Sequence, residues 1–463
     1  MAALVLLSRS RRHFLRVLGG ATDLPVCMGR RSLGAVQSRG GANLGRGMTA
    51  VSDVAMNDQA EGDRAGSAAV WAAARAAADV IVALPGTGAD GQPVEMFFRR
   101  VAATGPEGFR MGSRNRNPDE EPIQRVVIEE DFYLGTFVVT QEQWAAVWPG
   151  IEGLYGKEGP WKKSPGASPS DQQGSGLLPV EQVSWYDAMA FCDWLTRHQT
   201  LIGGTSPPDG DWRFCLPTES EWEYACRGGP EGVGRDTEYW NGDGEAALRE
   251  VGWFYDNSGS GTHPVTEPLF PGSVEDHPLG LFGLHGNVWE WCHDEWDGGA
   301  YRGHVDGDGD RAVEHRSEVL RALAAGGPES LTPPLLPGDR NRVIRGGAWS
   351  YPAGWCRSAY RIWDWPVDRR DDLGFRVCLV RGPAASQEQA GGGAAPAKGG
   401  AEGEQAEPDK AGGARPQSGA AGETAAPGRA QRQSTASPPA AQPRGRGYRV
   451  WLEALWRRMC GGR

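Results

Sequence analysis

Arg345 to Val377 reads RGGAWSYPAGWCRSAYRIWDWPVDRRDDLGFRV, and the fold is decided by how this stretch is read. It begins at the pair Gly346-Gly347 and ends at Gly374-Phe375-Arg376. Between them Trp349, Tyr351, Trp355, Tyr360, Trp363 and Trp365 are interspersed with arginines and aspartates. Glycine reaches backbone conformations that other residues avoid, so both ends read as corners of an irregular segment. The aromatics follow neither a helical repeat nor strand alternation. Such a composition suits a displayed surface. The alternative is a Trp-rich loop packed inward, where aromatic side chains most often lie.

Working outward, regular elements are sparse. Met96 to Val101, Val126 to Ile128 and Phe132 to Val139 read as strands. Thr140 with Gln143 forms a capping box for a helix carrying Trp144 and Val147. Ser184 with Asp187 opens a second helix, on which Trp185, Ala188, Met189, Cys192 and Leu195 make a core-facing stripe. Thr218 with Glu221 opens a third, which ends at Gly228-Gly229. From Tyr239 to Trp296 the chain is rich in Gly, Asn, Asp, Trp and Tyr and loses periodicity. An α+β domain with short strands and much irregular structure is expected. Buried tryptophans, bound ions or disulfides would hold it in addition to its ladders.

Composition sets the limits of that domain. Residues 1–60 read as a targeting or disordered segment, 61–93 as an Ala-rich helix (Ala68 to Leu84) and linker, and 94–382 as the folded domain with an insertion at 297–340. Residues 383–446 form a low-complexity linker with too few apolar side chains to offset the entropy of ordering. Residues 447–463 form an amphipathic helix whose Trp451, Leu452, Leu455, Trp456 and Met459 share one face; it is expected to dock on a partner or membrane surface, or to fold back. Residues 1 to 46 hold eight arginines and one acid, Asp23, as in an organelle transit peptide. Ser10-Arg11-Arg12-His13-Phe14-Leu15 also has the order of a twin-arginine export signal, and translation from Met48 or Met56 is a third reading. No run reaches the ~20 apolar residues that span a bilayer. The net charge of −11, with no basic stripe among aromatics, argues against nucleic acid as a partner. Asp306, Asp308 and Asp310 resemble the start of a calcium loop. Arg311 replaces the required glycine and Ser317 the bidentate glutamate, so they read as a solvated acidic turn. The eight cysteines include no CxxC pair.

Seven blocks then become recognisable together. Gly108-Phe109-Arg110-Met111-Gly112-Ser113, Val138 to Trp144, Pro179 to Trp185, Leu216 to Ala225, Gly286-Asn287-Val288-Trp289-Glu290-Trp291, Arg345-Gly346-Gly347 and Gly374-Phe375-Arg376 resemble the formylglycine-generating enzyme, or sulfatase-modifying factor, family, over roughly residues 94 to 380. The resemblance implies an irregular fold related to C-type lectins. It implies oxidation of a substrate-protein cysteine to formylglycine by two cysteines that bind copper(I), an ion suited to a soft thiolate pair. That pair is missing. Counted from Gly347 the family's cysteines fall on Tyr351 and Cys356; counted back from Gly374 the second falls on Ala353. Ala348 stands where active members carry a serine. Copper is therefore not expected, and Cys356 is a catalytic candidate without a partner.

The same resemblance implies disulfides pairing Cys192 with Cys378 and Cys226 with Cys356 in an oxidising compartment. It also implies calcium, with Gly286 and Val288 offering carbonyls and Glu290 a carboxylate, although Gly283 replaces the usual Asp or Asn. The family's iron branch would need a histidine cluster; His263, His277, His285 and His293 share no ligand-like spacing, so iron is not expected. Two functional expectations stand. One is a catalytically divergent member that binds a protein, peptide or small molecule through Trp349, Tyr351, Trp355, Arg361, Trp363, Trp365 and Arg376. The other is an oxidoreductase of the same family.

Overall fold

The computed structural model of the chain describes residues 66–382, apart from 89–90, 158, 199, 205–209, 268–276, 303–310 and 332–339. The Arg-rich start, the acidic turn at Asp306 to Asp310, the low-complexity linker and the helix expected around Trp451 lie outside the described residues.

One sheet has six strands in the order β6 (Thr200–Gly204), β1 (Val80–Thr87), β2 (Pro93–Val101), β5 (Phe132–Gly135), β14 (Cys378–Arg381) and β7 (Trp212–Cys215). All neighbours run antiparallel. A second sheet orders β12 (Arg361–Asp364), β11 (Arg342–Arg345), β10 (Trp289–Glu295) and β13 (Leu373–Phe375). There β13 runs parallel to β10 and sets Gly374 opposite Glu290. The Arg345 to Val377 stretch thus supplies the end of β11, then β12 and β13, and feeds directly into β14. Two short pairs complete the strands, β3 (Phe109–Met111) with β4 (Gln124–Val126) and β8 (Gly252–Trp253) with β9 (His285–Gly286).

The helices are α1 (66–77), α2 (Gln141–Ile151), α3 (Trp185–His198), α4 (Glu219–Cys226), α5 (Gly244–Val251) and α6 (Arg311–Gly326). Both expected capping boxes form: Thr140 and Gln143 exchange side-chain to backbone bonds at α2, and Thr218 and Glu221 do so at α4. Each cap is worth about 1 kcal/mol. Ser184 and Asp187 cap α3 in the same reciprocal way. The Ala-rich helix is shorter than expected. It stops at residue 77, and from Val80 the chain joins the six-stranded sheet instead of a linker. The β-branched run Val80-Ile81-Val82, fully buried, favours a pleated strand over a helix there.

The core is tryptophan-rich: Trp144, Trp185, Trp222, Trp289 and Trp291 are fully buried. Buried ion pairs join elements distant in sequence, among them Arg345–Glu223, Arg361–Glu219, Arg357–Glu120, Arg316–Glu221 and Arg376–Glu290. The six cysteines described are free thiols. Tryptophans and ion pairs, not disulfides, tie the irregular parts of this α+β fold together.

Candidate functional site

Both corners of the Trp-rich segment are fixed from inside. Gly347 has φ +78°, and a Cβ there would lie 2.5 Å from the Cys356 sulfur and 2.8 Å from its Cα, so only glycine lets the two chains approach. At the other corner a Cβ on Gly374 would run into the Val180 carbonyl. The arginines beside these glycines turn inward. Arg345 pairs with Glu223 and donates to the Tyr360 carbonyl at 2.6 Å. Burial opposes both charges, yet Arg227 and then Arg345 hold Glu223 below the usual carboxylate range, and Glu223 keeps the Arg345 guanidinium raised. Arg376 grips Glu290 through Nε at 3.0 Å and Nη2 at 2.8 Å, and donates to the Gly135 and Thr136 carbonyls.

Arg361 and Arg376, expected to face a ligand, are therefore structural. Arg361 holds Glu219 at 2.7 and 2.6 Å and lies 4.4 Å from the Trp296 ring centre and 4.6 Å from that of Tyr301. The aromatics divide into two groups. Trp355, half-buried, is stacked between Tyr351 at 4.9 Å and Tyr360 at 5.1 Å, with Trp289 edge-on to Tyr351 at 5.3 Å. The Trp289 indole N–H is buried and lacks an acceptor among the described residues. Trp349 is also buried, its N–H donating to the Asp371 carbonyl at 3.1 Å. The second group faces outward: half-buried Trp363 meets Trp365 at 90° and 6.3 Å, and Trp365 is 43% exposed beside Val367 at 48%.

Cys356 lies fully buried among Tyr239, Leu248 and Phe254, and burial pushes its thiol up to about 12. A nucleophilic cysteine needs the opposite shift. His285 does not serve its sulfur: Nδ1 donates to the Cys356 carbonyl at 2.7 Å, which leaves Nε2 as acceptor for the Trp240 backbone N–H at 3.3 Å and the Cys226 thiol at 3.8 Å. The imidazole thus bridges the Cys226 sulfur and the Cys356 backbone in place of the expected disulfide. Cys378 sits opposite Cys215 across β14 and β7, and its thiol, like that of Cys192, is raised by burial. The expected Cys192–Cys378 bridge is likewise absent.

The calcium expectation rested on Gly286, Val288 and Glu290. A carboxylate offers about four lone-pair positions. Those of Glu290 receive Arg376 twice and the Trp222 indole N–H at 2.8 Å. Gly286 lies in β9 and Val288 is buried, and Gly283 contributes no side chain. Glu290 thus has about one lone-pair position left beyond these three donors. Of the four histidines, His277 and His285 both meet Cys226, at its carbonyl and its thiol, while His263 stacks on Trp253 at 3.7 Å and His293 lies beside Trp185. Burial pushes His277 down to about 3 and His285 to about 4, so both are neutral. Among the described residues no three His, Cys, Asp or Glu side chains converge as a metal site.

One acidic group beside the segment was not singled out in the sequence. Glu181 is fully buried; its Oε1 accepts from the Gln172 N–H at 2.8 Å, and its Oε2 has no partner among the described residues. Burial pushes its carboxyl up to about 7, and neighbouring Asp171 and Asp371 add to the rise. The next residue, Gln182, donates its N–H to the Arg370 carbonyl at 2.8 Å, which places Glu181 against the Trp-rich segment. The available signal was an acid set between the apolar residues Pro179-Val180 and Val183, next to Gln182.

Comparisons with known proteins agree with the seven blocks. Formylglycine-generating enzyme of Bos taurus is 31% identical over 209 residues, 43% of each chain, so this chain spans less than half of that enzyme. The Streptomyces coelicolor enzyme of the same name is 30% identical over 255 residues, 51% of this chain and 63% of that one. Among solved structures, Treponema denticola variable protein 1 is similar with a TM-score of 0.41 and 26% identity, covering 62% of this chain and 96% of that one. The family model described as the sulfatase-modifying factor enzyme 1-like domain matches residues 100–381. The chain belongs to the sulfatase-modifying factor enzyme 1-like domain family.

Proposed function

We propose that this chain is a catalytically divergent member of the family, in which the Arg345 to Val377 segment serves as a ligand-binding surface. The observation that carries this reading is the state of Cys356: a lone, fully buried thiol with its proton held to about 12. The neighbouring Tyr351 supplies a ring where the resemblance calls for a second sulfur, and that ring joins a stack instead of a metal. The outward pair Trp363 and Trp365 gives the surface its contact area; rigid indoles bind at low cost in conformational entropy. In this reading the Gly286 to Glu290 block is a structural brace and calcium does not act through Glu290.

The test joins a formylglycine assay on a peptide bearing the sulfatase cysteine motif with copper and iron analysis of the purified protein. The expected result is no turnover, and no change on replacing Cys356 by serine. Turnover that is lost in Cys356→Ser overturns the reading in favour of the oxidoreductase alternative.

A further inference from the structure

His263 has more acceptors around it than a neutral ring can serve. Its Nδ1 lies 3.0 Å from Glu267 Oε2, and its Nε2 lies 2.8 Å from the Ser258 carbonyl oxygen. An ionised carboxylate and a carbonyl only accept hydrogen bonds, so both contacts form only when both ring nitrogens carry protons; the neutral imidazole has a single N–H. The ring also lies flat on Trp253, with centres 3.7 Å apart and planes within 6°, and an indole face attracts a cation. The backbone at this point is held independently of the ring. Asn287 accepts from the His263 N–H and donates to its carbonyl, both at 3.0 Å.

Beyond His263 the chain forms one wall of a cavity of about 50 Å³. Pro264 to Glu267 line it together with Val70 of α1, Trp253 of β8 and Phe282. The wall is tied back by Val265 N–H to Leu177 O and by Glu267 N–H to Pro264 O, each at 2.9 Å. Its Thr266 hydroxyl is buried and has no partner among the described residues, so water admitted to the cavity would satisfy it and offset part of the cost of opening. The titratable groups brought to this place are Glu267 on the same loop and, lining the same cavity, Glu250 of α5 and His285 of β9. Burial pushes His285 down to about 4 and keeps it neutral, while Glu250 adds a second negative charge.

When the ring gives up a proton, one of its two bonds is lost, and exposure decides which. Ser258 is buried at 3%, so stranding its carbonyl costs the desolvation of an acceptor, whereas the Glu267 side chain is 29% exposed and can turn to water. The remaining N–H therefore stays on Nε2, and Glu267 is let go.

We infer that His263 is a pH-sensitive latch: charged, it ties Glu267 to Ser258 and holds the Pro264 to Glu267 wall closed; neutral, it releases Glu267 and the wall opens. The direction follows from the proton count, closed at low pH and open at high pH. None of the residues proposed above to contact a ligand supplies a group to the latch, so it stands apart from the ligand-binding reading.

Hydrogen exchange of the full chain, read by mass spectrometry at about pH 5.5, 7 and 8.5 and corrected for the intrinsic rate at each pH, tests this. A peptide spanning residues 262–267 reports the wall, and peptides from β2 and β5 report the fold as a whole. Exchange in 262–267 should rise roughly tenfold from the lowest pH to the highest while β2 and β5 keep their rates. His263→Gln removes the titrating ring and should leave 262–267 without that rise. Glu267→Gln should flatten it as well, because an amide can accept from the charged ring or donate to the neutral one. Glu267→Gln alters a partly exposed side chain and keeps the test open if His263→Gln does not fold. No rise in wild type, or a rise of the same size in either variant, overturns the inference.

Discussion

Replacing Glu290 with glutamine leaves the Arg376 guanidinium buried without its counter-ion. The pair is sealed from solvent at 0% and 1% side-chain exposure, and Glu290 receives three N–H donors, two from Arg376 and one from Trp222. Glutamine keeps one acceptor oxygen and turns an amide donor toward the guanidinium. Removing one partner of a buried pair costs about 3–5 kcal/mol. Arg376 keeps its bonds to the carbonyls of Gly135, Thr136 and Phe282, which holds the loss near the lower end, about 3 kcal/mol. At about 2 °C per kcal/mol for a domain of this size, the melting temperature should fall by about 6 °C. Calorimetry of wild type, Glu290→Gln, Arg376→Met and the double variant, each in calcium and in EDTA, reads the effect directly. The double variant should lose less than the sum of the singles, since it strands no charge. A Glu290→Gln protein within about 1 °C of wild type refutes the magnitude. Calcium stabilisation of wild type that vanishes in Glu290→Gln refutes the ion-pair account altogether.

Gly347→Ala should destabilise by about 1–3 kcal/mol through the contact with the Cys356 sulfur, whereas Gly354→Ala, which meets open space, should change stability far less; thermal melts compare them. Mass mapping after alkylation of the denatured, unreduced protein should find Cys192, Cys215, Cys226, Cys292, Cys356 and Cys378 unbridged, and in the native state their burial should keep them unreactive. A bridge between Cys192 and Cys378 would contradict this. The Glu181 carboxyl is raised in the fold to about 7 from its ordinary 4.5, so the folded chain binds the extra proton and the stability it brings is full at low pH and lost as pH rises through about 7. Glu181→Gln should therefore gain on wild type as melts move from about pH 5 to about pH 8; a constant difference would show that Glu181 does not titrate in that window. His277 and His285 act the other way, because their depressed values give stability that is present above about 6.5 and lost as pH falls toward 3 and 4.

Local signals carried much of the fold. The capping boxes at Thr140 and Thr218 join residues three apart, so a single stretch contains both partners. Glycine corners are equally local. What could not be read is charge pairing: Arg361 finds Glu219 across 142 residues and Arg376 finds Glu290 across 86, and nothing in the spacing of either pair announces it. The segment therefore looked like an arginine-rich binding surface when its arginines are internal braces. Cys356 and Cys226 were matched by position along the chain, but the His285 imidazole that sits with them comes from β9. The Ala-rich stretch misled differently, since α1 ends where Val80-Ile81-Val82 finds a strand partner, and sheet pairing overrides helix propensity.

The bracing also bears on the proposed binding surface. Arg345, Arg361 and Arg376 reach Glu223 and Glu219 on α4 and Glu290 on β10, so the segment is anchored by side chains pointing away from its outer face. Gly347 and Gly374 fix its ends against Cys356 and Val180. With backbone and corners set from below, Trp363, Trp365 and Val367 contribute little to holding the fold, and their exposure is compatible with substitution at small cost in stability. Affinity can then change at the outer face while the buried pairs stay fixed. That separation is what the proposed binding surface requires.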